Sequence, residues 1–435
     1  MIGGGLDAER VLVRGTRSNA EGRLGRGLSL ESSARATLRD VVIEGSHDGG
    51  VGLAGSSLEA EGLAIRDTGP NGAGRFGPGL GLFDAARATV RGATIEGARE
   101  AGVLVDGGSE LMLEDAVVRE VASEAAMANG RGLFVRGSTA RIARVAIGRA
   151  SGAGVYVTSS STLEATDVLV TSTQPSDGFA AGLGVIGSRA RVERLAVLDV
   201  AWMGITAVGE GAVLEGNDVL VRRVAESRDI GEGIVAGDGA MASFERVIVR
   251  DAHALGVMTF GAGTSLAITH GHISGVRETA VHGVGRGAEA DVGATLTLTD
   301  VWIDDVIDTG VVSFGELMAG TLVTLERVRV TNVHERSCAR TSCPTEAGGS
   351  AVAAVFGGAI FARELEAIGA PLCGVQVAVG ASLDVESGSI RQSAIGACVQ
   401  IEGYDLARVV AGVEFRDNER NVESTGVYVP GAGPR

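Results

Sequence analysis

The chain contains no lysine: all 38 of its basic residues are arginine. Schiff-base chemistry and lysine general-base chemistry are therefore excluded. Aromatic residues make up 3% of the sequence, with two Trp and three Tyr, so the stacking platforms that sugar-binding clefts use are scarce. Trp202 and Trp302 are the two indoles expected at the surface. No long apolar segment is present. The uncharged run at residues 347–362 is too short and too rich in glycine to span a bilayer. The opening MIGGGLDAERV lacks the basic and apolar regions of a signal peptide. A formal net charge of −16 repels nucleic acid and anionic membrane surfaces at long range. These absences describe a soluble module without membrane insertion. It begins inside a repeat with nothing resembling a cap, so it is expected to be part of a longer chain.

What is abundant is glycine, 68 residues, set among 45% hydrophobic residues. This composition describes a narrow aliphatic core with many tight turns, not a disordered chain. Residues 88–109 hold the pattern in full. Three apolar pairs, Ala88/Val90, Ala93/Ile95 and Val103/Val105, are separated by two residues, a variable loop and a Gly/Ser turn. The skeleton returns at 36–57, 140–161 and 190–211. Each unit supplies three strands with one apolar face apiece and must stack on its neighbours to bury them. In the copy at 36–43 the inward positions are Ala36 and Leu38, then Val41 and Ile43. That change of parity requires a bend at Arg39–Asp40, because strand side chains alternate with period two. The third strand opens on glycine in most coils (Gly27, Gly50, Gly79, Gly102 and onward to Gly374 and Gly426, with Cys398 in that place once), as expected where the backbone turns sharply or takes a positive φ.

About sixteen such coils fit the sequence, with starts from near Arg10 to near Leu406. The expected fold is all-β, a single right-handed parallel β-helix solenoid. Handedness follows from the rule for parallel crossovers. One domain, 1–435, is expected, since solenoids grow by adding coils. Residues 1–265 form regular double-coil repeats in which long and short loops alternate before the third strand. Residues 266–435 are less regular, with a long Cys-containing loop near 332–350. The corner before the second strand reads Asp115, Arg144, Asp167, Arg194, Asp218, Arg246, His270, Asp300 and Arg327. Opposite charges thus stack on successive coils and specify register, with little expected of them in stability.

Three strands per coil, a two-residue corner carrying a stacked column, and long loops on one edge resemble the right-handed parallel β-helix of the pectin-lyase-like superfamily. The resemblance covers essentially the entire chain and implies the fold more than any activity. Enzymes of that family often stack Asn at the tight corner, whereas Asp and Arg stack here. Its pectinase-like hydrolases join an acidic pair to downstream Gly-His-Gly and Arg-x-Lys segments. Here His270-Gly271-His272 precedes the pair, and lysine is missing.

The candidate catalytic residues are Asp304 and Asp305, as a general acid and base for glycoside hydrolysis, with His270 and His272. Asp304 aligns with Glu44, Arg119 and Arg250 at an ordinary solvated strand end. His253 and His282 lie near His270 and His272 in the chain, yet nothing makes them converge as zinc requires, and no metal or cofactor is expected. Cys338, Cys343, Cys373 and Cys398 suit two disulfides and an oxidising compartment. Two buried thiols fit Cys373 and Cys398 as well. Arg23, Arg26, Arg75 and Arg131 line the first three long loops, whereas Asp177, Glu226, Asp229 and Glu232 follow in the next two. All of these are read as solvated loop charge. The favoured function is a non-catalytic extracellular or cell-surface scaffold contacting a glycan or a surface protein along the long-loop edge. The alternative is a polysaccharide lyase, hydrolase or epimerase with its site near coils eleven to thirteen.

Overall fold

A computed structural model describes residues 1–435 except 23, 73, 75, 76, 124–129, 177–179, 281–282, 317–319, 337–347, 425 and 432–435. The fold is all-β, a right-handed parallel β-solenoid of about 14 turns. The count falls short of sixteen, and one shortfall is visible near Leu406. There a helical turn, Ala407–Val410, replaces the expected first strand, and only Val413–Arg416 and Arg420–Glu423 continue the stack.

Contacts divide the chain into two compact units. Unit 1 comprises Met1–Ala201 with Gly211–Glu215, and unit 2 comprises Trp202–Glu210 with Gly216–Arg435. In unit 1 the first two strands of a coil form one bent strand such as Arg35–Glu44. Ala36, Leu38, Val41 and Ile43 are all buried. The bend is at Asp40, whose φ is +52°. Corner residues Asp115 and Arg144 repeat that left-handed conformation at +54° and +55°, which costs a non-glycine residue about 1–2 kcal/mol. The column pairs its charges: Arg144 donates to both oxygens of Asp115, at 2.6 and 2.9 Å, and Arg194 to both of Asp167, at 2.6 and 3.1 Å.

The third strands of unit 1 stack Val51, Leu80, Val103, Leu133, Val155 and Leu183 in register along the dry axis. Fully burying each such side chain contributes about 1.5–3 kcal/mol. A serine ladder closes the opposite turn, where the hydroxyls of Ser109, Ser138, Ser161 and Ser188 each accept from a backbone N–H one coil before.

Of the two reasons expected for the glycine column at the entry to the third strand, a sharp turn or a positive φ, the positive φ does not apply, and a close approach requires glycine there. Gly79 and Gly102 do not have positive φ. A Cβ at Gly79 would lie 2.3 Å from Ile95 Cγ2, and one at Gly102 would lie 2.2 Å from Val118 Cγ1. The third strand crosses so close to the branched residue of the second that only hydrogen fits.

Unit 2 repeats the scheme with a smaller core: Ile234, Val257, Ala288, Val311, Val352, Val375 and Ala397 form its third-strand axis. Its corners pair Arg246 with Asp218 and Arg327 with Asp300. Gln376 pairs with Cys398, so Gly396 holds the glycine place assigned to Cys398, and Cys398 points outward. Gly426 is not in a strand.

Candidate functional site

Asp304 and Asp305, named from the sequence as a catalytic pair, take different partners. The chain turns at Asp305, where φ is +54°, and this sends the two neighbouring carboxylates to different partners. Asp304 accepts from Thr331 Oγ1 at 2.5 Å and Asn332 Nδ2 at 2.8 Å. Asp305 accepts from Arg277 Nη2 at 2.5 Å and faces His334 Nε2 at 3.0 Å. Burial works to raise Asp305, but Arg277 and His334 outweigh it and hold the carboxyl below its ordinary range. Both acids are thus absorbed into ladders between coils.

His270 sits in the corner column, exposed, 3.9 Å from Asp300. His272 lies flat on Trp302, with ring centroids 4.5 Å apart and planes 8° from parallel. Arg250 Nη2 donates to its Nδ1 at 3.0 Å. Burial first, and Arg250 second, lower its pKa against the opposing charge of Asp304. His253 Nδ1 is 3.1 Å from the Val224 carbonyl. Among the described residues no cluster of His, Cys, Asp and Glu could hold a metal ion. Trp302 is exposed, and its indole N–H donates to Thr331. Trp202 is half-buried. Cys373 and Cys398 form a disulfide. Arg23, Arg75, Asp177, His282, Cys338 and Cys343 lie outside the described residues. Glu232 corrects the reading of it as solvated loop charge: it is 4% exposed. Burial, with the charge of Glu289 adding to it, pushes its carboxyl up to about 8.

The site that does assemble lies on the outward face of the third strands in unit 1. One outward row runs Gly52, Gly81, Leu104, Phe134 and Tyr156. The two glycines leave the floor low. A Cβ on Gly52 would meet the Arg26 side chain at 2.8 Å, and one on Gly81 would meet the Phe83 ring at 2.7 Å, so Arg26 and Phe83 lie flat where side chains would otherwise stand. The result is a cavity of about 420 Å³ walled by Pro78, Phe83, Leu104 and Phe134 and edged by Arg26, Asp48, Glu100, Asp106 and Arg136. That volume falls within the range of small-ligand sites.

The charges in this cleft are arranged, not scattered. Arg136 donates to both oxygens of Asp106, and Gly107 N donates to Asp106 Oδ1 at 2.9 Å. The hydrogen bonds from Arg136 hold Asp106 below its ordinary pKa. Arg26 Nε is 3.9 Å from Asp48. Arg131 lies over two rings, 4.2 Å from the Phe134 centroid and 4.8 Å from that of Tyr156, and burial lowers its pKa. Glu100 is 5% exposed and raised by burial, with Arg131 and Arg136 opposing the rise. Its Oε2 and the Nε of Arg131 are buried without a hydrogen-bond partner among the described residues, and such groups are costly unless something satisfies them.

Arg26 and Arg131 had been singled out in the sequence. Phe83, Glu100, Leu104, Asp106, Phe134 and Arg136 had not. Their signal was available: Leu104, Phe134 and Tyr156 are bulky at an outward third-strand position where neighbouring coils carry Gly52, Gly81 and Gly184.

A family model described as the right handed beta helix region matches residues 26–194. A comparison with curated proteins finds no match. Among solved structures, the chain is similar to the tailspike protein of E. coli bacteriophage HK620, crystallised as a mutant with a hexasaccharide, at 9% identity and a TM-score of 0.48. That match covers 89% of this chain and 73% of the tailspike. It is similar to the pectate lyase Pel9A at 11% identity and a TM-score of 0.37, over 68% of this chain and 71% of the lyase. The A-module of the Azotobacter vinelandii mannuronan C-5 epimerase AlgE6 matches at 12% identity and a TM-score of 0.30, covering 90% of this chain and 91% of the module. These likenesses concern the fold alone.

Proposed function

We propose that the chain is a glycan-binding β-helix that docks a short, hydroxyl-rich, uncharged glycan segment in the cleft of unit 1. The observation that carries this reading is the union, in one cavity of about 420 Å³, of an aromatic and aliphatic wall with charged groups already fixed in pairs. A sugar ring offers an apolar face to Phe83 and Phe134 and a rim of hydroxyls to Asp48, Glu100, Asp106 and the arginines. A neutral glycan fits better than a polyanion, because the net charge of −16 opposes the approach of anions and Asp48 and Asp106 match Arg26 and Arg136. The Cys373–Cys398 disulfide supports an oxidising compartment, in keeping with a module at the cell surface or outside the cell.

Titration calorimetry against matched neutral and acidic oligosaccharides tests this. A neutral oligosaccharide is expected to bind, with affinity falling about tenfold or more in Phe134→Ala and unchanged in Trp302→Ala. Binding of acidic oligosaccharides alone, or indifference to Phe134, would overturn it.

The same cleft supports a second reading. Glu100 is biased toward its protonated form and Asp106 toward its ionised form, a split that suits one carboxyl to donate a proton and another to accept or attack. Turnover of the bound oligosaccharide, abolished in Glu100→Gln while binding survives, selects a glycoside hydrolase. Binding without turnover selects the non-catalytic module.

A further inference from the structure

In unit 2 the corresponding outward face is occupied by the protein itself. The segment 427–431 leaves the solenoid after Arg420–Glu423 and runs back across the third strands without becoming a strand. Side chains from several coils take its carbonyls in turn. Gln400 Nε2 donates to Val427 O at 2.9 Å, Gln376 Nε2 to Tyr428 O at 2.6 Å, and Arg286 Nη2 to Gly431 O at 2.6 Å. Between these bonds the segment's side chains are read as well. Val427 packs on Cys373, Ile395 and Cys398. Val429 packs on the cluster of Val312, Ala353, Val355 and Ala378. The Tyr428 ring lies under Arg336 at 4.0 Å.

The donors Gln376 and Arg286 are also held by groups outside the segment. Gln376 also donates to Gln400 Oε1 at 2.8 Å and accepts from Ser350 Oγ at 2.8 Å. Arg286, with 1% of its side chain exposed, is fixed by Glu289 and Asp308, each at 2.8 Å, and Arg336 Nε approaches Asp308 at 3.3 Å. Hiding four charges is poor value as a source of stability. It is a good way to aim one guanidinium, since donors frozen beforehand lose little entropy on binding. Meanwhile the strands beneath pair with one another in full register, so the segment can leave without breaking a ladder.

We propose that this face of unit 2 is a peptide-docking groove. It recognises an extended segment with valines two residues apart around an aromatic and a following Pro-Gly, and residues 427–431 fill it in cis. Its partner is an extended stretch of another polypeptide with that pattern, which competes with the chain's own segment. The face takes the carbonyls of Val427, Tyr428 and Gly431 and packs Val427 and Val429 on its apolar clusters, a combination of main-chain bonds and side-chain contacts by which extended peptides are recognised on rigid sheets.

A protease site inserted between Glu423 and Gly426 allows the folded chain to be cut and then offered a fluorescent peptide, Gly-Val-Tyr-Val-Pro-Gly. The cut chain is expected to keep its thermal transition and bind the peptide, with unlabelled peptide competing. The uncut chain should bind at least tenfold more weakly, and the peptide with serine for both valines should bind at least tenfold more weakly than the original. An uncut Val427→Ser/Val429→Ser chain should bind the labelled peptide without any cleavage. The proposal is overturned by equal binding before and after the cut, by no binding to a cut chain that stays folded, or by unfolding on release, which would make the segment a structural strap. A second glycan stoichiometry in the cut chain, in place of peptide binding, would also overturn it and leave the unit 1 cleft untouched.

Discussion

The outward third-strand face is built twice in this chain and used in opposite ways. In unit 1 it carries Gly52, Gly81, Leu104 and Phe134 and forms, among the described residues, a cleft whose Arg–Asp pair, Arg136 with Asp106, is partly exposed. In unit 2 the same kind of row carries Val235, Met258, Glu289, Val312, Ala353 and Gln376. There the pair Arg286 and Asp308 is almost wholly hidden. A β-solenoid supplies identical backbone at each coil, so what a face does is decided by one outward residue per coil and by what lies over it.

The contrast is broken most severely at the buried pair. Asp308→Ala leaves Arg286 and Arg336 facing an empty acid site, and a buried charge stripped of its partner typically costs about 3–5 kcal/mol. Asp106→Ala removes the counterpart in unit 1, where solvent screens the charges, and is expected to cost under about 1 kcal/mol. Urea unfolding midpoints of the two variants should differ accordingly. Equal effects would mean that the two faces are equally solvated.

Glu232 sharpens the contrast through pH. Its folded pKa of about 8 stands above the ordinary 4.5, so between those values the folded chain holds a proton that the unfolded chain has lost. The stability this contributes is full below about pH 4.5 and is lost as pH rises toward 8, at up to about 1.4 kcal/mol per pH unit. Glu232→Gln should flatten that slope and raise the midpoint at pH 8.5. An unchanged slope would show that Glu232 is solvated in unit 2.

The glycine column gives a smaller effect that both units should share. Gly79→Ala in unit 1 and Gly256→Ala in unit 2 each drive a Cβ to within 2.5 Å of a branched neighbour, Ile95 or Ile273, at an expected cost of about 1–3 kcal/mol. Shortening that neighbour to alanine should restore part of the loss. Smallest of all, Arg194→Ala in the exposed corner of unit 1 should leave the unfolding midpoint unmoved.

How much of this was legible in the sequence follows the same division. The aliphatic pairs around Arg39–Asp40 announced the bend because period-two alternation tolerates no other reading, and the Asp115/Arg144 column announced its own register. The bend depends on residues close in sequence, and the column, whose partners lie 29 residues apart in Asp115 and Arg144, was legible because its alternation of sign repeats from coil to coil. The cleft depends on which outward residue of one coil comes opposite that of the next, 23 to 30 residues away in pairs such as Gly81 with Leu104 and Leu104 with Phe134, so Phe134 looked like one aromatic among few. Glu232 looked like loop charge because nothing local reveals that it will be covered. Gly79 was legible as a glycine position, but a close approach to Ile95 leaves the same mark on a sequence as a positive φ. Asp304 and Asp305 looked like a pair because they adjoin, and a left-handed turn at Asp305 parts them.

The most direct test is a crystal structure of the chain with a neutral oligosaccharide bound. A sugar ring stacked on Phe134 or Phe83, with its hydroxyls on Glu100, Asp106 or Arg136, is the expected result. A glycan seated instead on the second-strand face, at Trp302 and His272, would contradict it.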